Sequence, residues 1–421
     1  MRHHNTVAVV GAGIIGAAVA HALAREGQPV LLLDRAEPGV AGASFGNVGH
    51  IAAELVEPLP SFSLLFGFWR ELFAFGGALD IRWRHLPGFL PWARRFAVAA
   101  RHRTNNTRHL RPLVRPAVSV MARWLAEIGR PELLRRNGHL EVWFGAKAQN
   151  RAAAQALAMA SLEISTQPAP DELLQAVARA RGGVRGRLVA GLWFTSTGHV
   201  LDPLEIVQAF VNTALQRGAE FKRADVKALE PRAGGVDIHT SAESLRVGSV
   251  VVCTGAWSAS LLEPLGLRVP MQAARGYHVE LPAHHAFADA PIVYADSRLL
   301  VTPMKGRLRA SSFMEFAAPD AQPDARKPAR LRALLIALGY QCPQEGPSWV
   351  GPRPVLPDYL PGIGRLEHTS VYYATGHQHI GLTMAPVTGE LIADLLAGRP
   401  PRHDISAFDL CRFGPLRKPR I

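Results

Sequence analysis

Gly11, Gly13 and Gly16 stand at G-x-G-x-x-G spacing, and an acid, Asp34, follows at the distance at which a nucleotide-binding turn places one. In such a turn the first glycine permits a tight bend, the second lets a pyrophosphate approach the backbone, and the third lets helix and strand pack closely. The phosphates would rest at the positive end of a helix that starts near Ile14 and Ile15. Asp34 would hydrogen-bond the ribose hydroxyls of an adenosine and disfavour a 2′-phosphate. The chemistry is adenine dinucleotide binding, with NAD and FAD both open at this point. Gly42 to Gly46 formally fits the G-x-S-x-G of a hydrolase nucleophile elbow, which needs a strand before the serine and a helix after it. Here Pro38 and Gly39 precede and Pro58 and Pro60 follow. The stretch therefore reads as a second run of backbone along the cofactor, with Ser44 near the pyrophosphate. His377 and His379 have H-x-H spacing but no third ligand nearby in the sequence, so no metal site is read there.

The elements that must hold these residues are legible around them. Thr6 to Val10 is β-branched or small and apolar, as in a strand buried on both faces of a parallel sheet. Ala17 to Glu26 has helical composition, Gly27 breaks it, and Val30 to Leu33 forms a second strand. Leu55 to Arg103 mixes Phe, Trp, Leu and Arg between prolines, which predicts amphipathic helices. These read first as helices packed on the substrate domain and second as a membrane-surface patch. Further helices are expected over Leu110 to Glu127, Ala146 to Leu162, Leu204 to Arg217 and Ala329 to Leu338, while Thr166 to Gly191 reads only as polar surface. Strands are expected over Asn137 to Phe144, Gly191 to Val200, Ala219 to Val226, Val247 to Cys253 and Met271 to Leu281. Ile292 to Ser312 alternates as strands with a hairpin turn at Lys305-Gly306. The strand ending at Cys253 runs into Thr254, Gly255 and Trp257, and Ser370 to Ala374 runs into Gly376 to Gly381 and then a helix from Leu382 to Leu396. Strand, small-residue turn and helix thus recur far from the first turn, so the nucleotide domain is expected to be discontinuous.

Size and charge narrow the class. A chain of 421 residues with 48% hydrophobic content can bury a large core in two domains. The formal charge of +13 is spread along the chain without basic runs and reads as a basic solvated surface. Three cysteines, Cys253, Cys342 and Cys411, offer neither a disulfide framework nor a zinc knuckle. No apolar run reaches about eighteen residues, and the strand at Thr6 leaves no room for a signal peptide. The expected location is the cytoplasm, with contact to the inner face of a membrane left open.

Taken in order, VVGAGIIGAAVAHALAREG with LLLD, GASFGNVGHI, GHVLDP, VVVCTGAWS, and GPRPVLPDYLPGIG followed by ATGHQHIGLTMAPVTGELIADLLAG cover nearly the whole chain. This set resembles the FAD-dependent D-amino-acid oxidase superfamily, and within it the D-amino-acid dehydrogenases, including those of the D-hydroxyproline type. The resemblance implies an α/β fold with a discontinuous Rossmann-like FAD-binding domain and an α+β substrate domain with a mixed or antiparallel sheet. The expected division is 1–55, 195–270 and 349–421 for FAD, and 56–194 and 271–348 for substrate. It implies FAD in an extended pose. Asp34 and Arg35 would meet the adenosine, Val226 the adenine through its backbone, and Ser44 with the first glycine turn the pyrophosphate. Asn47, Val48, Gly49 and His50 would surround the isoalloxazine together with Gly376, Gln378, His379, Ile380, Gly381, Leu382 and Thr383. Two departures stand out: Asp34 replaces the Glu usual in the family, and His50 and His379 are usually absent from broad-specificity members.

The chemistry implied is oxidation of an amine beside a carboxylate, with hydride passing from Cα to flavin N5 and an imine leaving. Arg353 is the expected bidentate clamp on the substrate carboxylate. His50 and His379 are candidates to line the pocket, bind a substrate hydroxyl, as in cis-4-hydroxy-D-proline, or accept the amine proton; Tyr277 is a weaker pocket candidate that reads first as a core strand tyrosine, and Glu315 reads as a partner for an arginine. A D-amino or imino acid is the expected substrate, glycine or sarcosine the alternative, and a quinone, oxygen or another acceptor the electron sink. A tRNA-modification enzyme and a non-catalytic FAD-fold protein are the alternatives of other classes; the lack of an RNA module argues against nucleic acid.

Overall fold

A computed structural model describes residues 2–180, 189–283 and 286–415. Its first sheet has eight strands, of which five are parallel: Glu220–Arg223, Val30–Asp34, Arg2–Val10, Ser244–Val252 and Val371–Thr375. Gly235–Thr240 and Val226–Arg232 extend it antiparallel, and Gly362–Arg365 pairs antiparallel with Val371–Thr375. The apolar runs are continuous because both faces are covered. Val7, Val9, Val30, Leu32 and Val251 point into one core with the helices Ile14–Arg25 and Gly381–Leu396, while Ala8, Val10, Leu31, Leu33, Val250 and Val252 point into the other. A methyl group on Gly16 would overlap the Gly11 carbonyl oxygen, and one on Gly389 would meet the Ala18 carbonyl and the Trp124 ring. Close helix approach depends on both glycines, and truncating a core side chain such as Leu23 or Leu391 would cost about 2–5 kcal/mol.

The second sheet has nine strands, in the order Ser348–Val355, Gln272–Pro282, Arg307–Phe316, Leu299–Met304, Ile292–Tyr294, His139–Phe144, Val189–Phe194 and Thr166–Pro168, with Leu79–Ile81 alongside Arg307–Phe316. Gly306, at φ +72°, makes the expected hairpin turn. A small third sheet joins His50–Ile51, Gly198–Val200 and Leu134–Arg135.

Several expectations are corrected. Leu110 to Glu127 is not one helix: Arg103–Val114 and Ala117–Glu127 meet at Pro116, whose missing N–H ends the first ladder and which caps the second. Ala219 to Val226 is two strands: Glu220–Arg223 pairs with Val30–Asp34, a pairing that the Ala224 N–H continues to the Asp34 carbonyl at 2.7 Å, and Val226–Arg232 pairs with Gly235–Thr240. Thr166 to Gly191 is more than surface, containing the strand Thr166–Pro168 and the helix Asp171–Ala180; residues 181–188 lie outside the described part. The aromatic stretch Leu55 to Arg103 divides. Phe89 and Trp92 pack on Phe316, with Trp92 Nε1 donating to the Val355 carbonyl at 3.1 Å, whereas Phe62, Phe66, Trp69, Phe75 and Trp83 are exposed.

Candidate active site

Register explains why loops distant in sequence meet. Val10 pairs with Leu33 and with Val252, Asp34 with Arg223, and Val252 with Tyr373. All five parallel strands therefore end on one edge, which delivers Gly11, Asp34, Ala224, Cys253 and Gly376 to a single crevice. A cavity of about 720 Å³ runs along this edge. At one end it is lined by Asp34, Arg35, Val226, Lys227 and Trp257, in the middle by Gly11, Gly13, Ile14, Ile15, Ser44, Thr254 and Gly255, and at the other by Arg353 and the loop from Gly376 to Leu382. Gly11 has φ +104°, and a side chain there would strike the Cys253 carbonyl. The Asp34 carboxylate fixes the turn: Ala12 N–H donates to Oδ2 at 2.6 Å and Ala36 N–H to Oδ1 at 3.0 Å. Ser44 Oγ accepts from Ile14 N–H at 2.9 Å, which ties the second loop to the helix start. The Arg35 guanidinium lies 4.4 Å from the Trp257 ring centroid, a cation–π contact closing that end.

The far end is built around Arg353. It sits in strand Ser348–Val355 opposite Ala274, and its guanidinium occupies the place where Gly276 has no side chain. Nη1 donates to the Phe313 carbonyl at 3.1 Å, and no carboxylate forms an ion pair with Arg353 among the described residues. Burial lowers its pKa, with Tyr359 beside it. His379 is pushed down to about 4 by burial and by the Arg353 charge, so it is neutral near pH 7, and its buried Nδ1 has no partner in the protein. His377 is pushed to about 3 by burial, and its Nε2 pairs with the Thr388 hydroxyl at 3.0 Å. The loop is held by the Gln378 amide, whose Oε1 accepts from Leu356 N–H and whose Nε2 donates to the Gly376 carbonyl. Arg298, Phe313 and Gln378 adopt left-handed φ of 51°, 69° and 54°, and all three line the cavity. Non-glycine residues reach that region at an energetic cost, and such strain concentrates at working sites.

Comparisons with known proteins show the family and the fold. The family described as FAD dependent oxidoreductase matches residues 6–395. The chain belongs to this family. It is 30% identical to a D-amino-acid oxidase of Bradyrhizobium diazoefficiens over 97% of its length and 98% of the relative's. It is likewise 30% identical to a D-amino acid dehydrogenase of Paramagnetospirillum magneticum, over 97% and 98% of the two chains. Among solved structures, glycine oxidase from Geobacillus kaustophilus superposes with a TM-score of 0.75 at 21% identity, covering 96% of this chain and 98% of that one. L-proline dehydrogenase from P. horikoshii gives 0.72 at 17%, covering 98% of each.

The enzyme is an FAD-dependent oxidoreductase, and its cavity lining offers what an FAD needs: an acid at one end, a glycine turn at a helix start, and a loop leading into a second helix N-terminus. Not every expected residue lines the cavity. Gly16 serves packing, Gly49 backs the loop against the Val200 carbonyl, and Ile380 is buried beneath it. The Thr383 hydroxyl accepts from Ala52 N–H at 3.0 Å, joining the two loops from outside. Tyr277 lies in the core and not in the cavity lining, its hydroxyl donating to Glu315 Oε2 at 2.8 Å and accepting from Asp324 N–H. Glu315 holds more than one arginine, pairing with Arg82, Arg275 and Lys327. His50 does not line the cavity either: its Nε2 lies 3.0 Å from Glu54 Oε1, next to the Asn47-Val48 segment that does. Sequence reading missed Trp349, Arg298 and the Ser311 to Met314 segment. Trp349 was discoverable, since it lies two positions from Gly351 and four from Arg353 in one strand and so shares their face; Arg298 carries no sequence signal.

Proposed function

We propose that this enzyme oxidises the Cα–N bond of a small D-amino or imino acid. The observation that carries the reading is Arg353, a half-buried guanidinium in the cavity with one carbonyl contact and no carboxylate partner among the described residues. A cation partly withdrawn from water without a counter-charge is favoured when a ligand supplies the anion, and a planar guanidinium matches a carboxylate two bonds at a time. Bound FAD supplies the hydride acceptor, N5. Arg353 would orient the carboxylate so that Cα–H faces that atom, and neutral His379 would receive a substrate amine or hydroxyl hydrogen. The N-terminus of helix Gly381–Leu396 would sit where reduction adds negative charge. Only one of the two expected histidines lines the cavity, which leaves cis-4-hydroxy-D-proline as one member of a panel with D-proline, D-alanine, glycine and sarcosine. In this reading the parallel sheet and its loops form the FAD-binding domain and the nine-stranded sheet the substrate domain.

The test is anaerobic bleaching of the flavin spectrum across that panel. Wild type should bleach with at least one D-amino or imino acid, while Arg353→Ala keeps its flavin and loses about 30- to 1000-fold in kcat/KM, the range for removing one partner of a buried charge pair. Normal turnover in Arg353→Ala would overturn the clamp. Faster bleaching with D-alanine than with any proline analogue would remove hydroxyproline.

The exposed aromatics support a second element of the reading, a peripheral membrane contact. No helix among the described residues is long and apolar enough to cross a membrane. Phe66 and Trp83 are nevertheless 83% and 77% exposed, with Arg70 over Trp69 and Arg84 over Trp83. Aromatic rings with cations at their edge suit an anionic lipid surface, where a quinone acceptor would be reached.

A further inference from the structure

We propose that His50, Glu54 and His139 form a binding site for one zinc-type divalent cation, separate from the cavity described above. One potential ligand atom from each lies within 4.8 Å of the others. The side chains of His50 and Glu54 are 6% and 9% exposed, and His139 is 2% exposed. Glu54 Oε2 and His50 Nδ1 are buried and have no partner in the protein. The fold brings the three together from separate elements. His50 opens the strand His50–Ile51, Glu54 sits in the turn after it, where its carbonyl accepts from Val56 N–H, and His139 opens the strand His139–Phe144 of the nine-stranded sheet.

Two features distinguish this cluster from an ordinary buried polar group. First, His139 is already oriented: its Nδ1 lies 2.8 Å from the Thr197 hydroxyl and its ring stacks on Phe194 at 4.3 Å. That leaves Nε2 for a ligand, the arrangement in which an outer hydrogen bond fixes a metal-bound imidazole. Second, the comparable acidic cluster elsewhere in the molecule carries its own cation. Asp80, Glu315 and Asp324 surround Lys327 Nζ at 2.6, 2.9 and 3.0 Å. Among the described residues no lysine or arginine forms an ion pair with Glu54, whose one recorded partner is His50. Two imidazoles and a carboxylate are a donor set that zinc takes with water in its fourth position. The ion would replace the His50–Glu54 hydrogen bond, and it would staple the strand behind the cofactor loop to the nine-stranded sheet.

The experiment uses the FAD-loaded enzyme, stripped with a chelator and then dialysed against zinc sulfate. Elemental analysis should find about one zinc per chain, and the thermal midpoint should rise by about 5 °C. His139→Ala and Glu54→Gln should each lose the zinc and the shift while keeping flavin absorbance; His368→Ala, an exposed histidine, should keep both. If a variant loses its flavin, X-ray absorption on zinc-loaded wild type reads the donor set directly, with two imidazoles expected. Wild type that takes up no zinc, or a zinc signal without imidazole donors, would overturn the proposal.

Discussion

At the scale of single residues, the site depends as much on what is missing as on what is present. Gly276 has no side chain where the Arg353 guanidinium lies. Gly276→Val should therefore displace Arg353 without touching the flavin end of the cavity. Its kcat/KM should fall about as far as that of Arg353→Ala, and the double variant should be little worse than either single one. Additive losses would show that the two positions act separately. The resemblance singles out Arg353 as a clamp candidate, and the fold places it in the cavity lining. The need for Gly276 was not legible in the sequence, since it arises from a strand pairing more than seventy residues away in the chain. The place of His50 outside the cavity lining was hidden for a related reason: its residue type suits a pocket, and only the fold sets it against Glu54 and His139.

At the scale of elements, strand-turn-helix units were readable wherever apolar runs met small residues. The strands ending at Val10, Val252 and Thr375 run through such turns into helices, and the parallel register brings the turns to one crevice. Less visible were elements whose signal is tertiary, such as the helix Asp171–Ala180 and the break at Pro116. The loop from Gly376 to Gly381 shows how an element is set by one side chain. Gln378→Ala keeps the unfavourable φ and leaves the buried Leu356 N–H and Gly376 carbonyl each short of a partner. A loss of about 1–3 kcal/mol is expected, read as weaker FAD retention and a lower thermal midpoint. The exposed helix Phe62–Glu71 and the turn at Trp83 provide another test at this scale. Phe66→Asp with Trp83→Asp should abolish sedimentation with vesicles containing phosphatidylglycerol and leave turnover with a soluble dye acceptor unchanged; equal sedimentation of both proteins would remove the membrane contact.

At the scale of the whole molecule, buried histidines set the response to acid. Burial pushes His21, His278 and His379 down to about 4 and His377 to about 3. Their unfolded value is near 6.5, so between pH 6.5 and 4 the unfolded chain binds protons that the folded one refuses. Stability is then full above pH 6.5 and falls as pH drops, by at most about 1.4 kcal/mol per pH unit for each proton. Thermal midpoints measured from pH 8 to 4 should be flat at first and then decline steeply; a profile flat to pH 4 would contradict the buried neutral assignment. The charge of +13 works in the same direction, since added protons increase self-repulsion.

The parallel sheet draws its strands from residues 2–10, 30–34, 220–223, 244–252 and 371–375. On the ribosome, the glycine turn is made first and its counterpart beside the clamp last, nearly the whole chain later. A polypeptide stopped before Val371 has the first half of the crevice but no strand to carry Gly376 and no helix at Gly381. Flavin colour in a preparation therefore reports that translation passed the helix Gly381–Leu396, and a product truncated before it has no complete cradle to stabilise it against proteolysis.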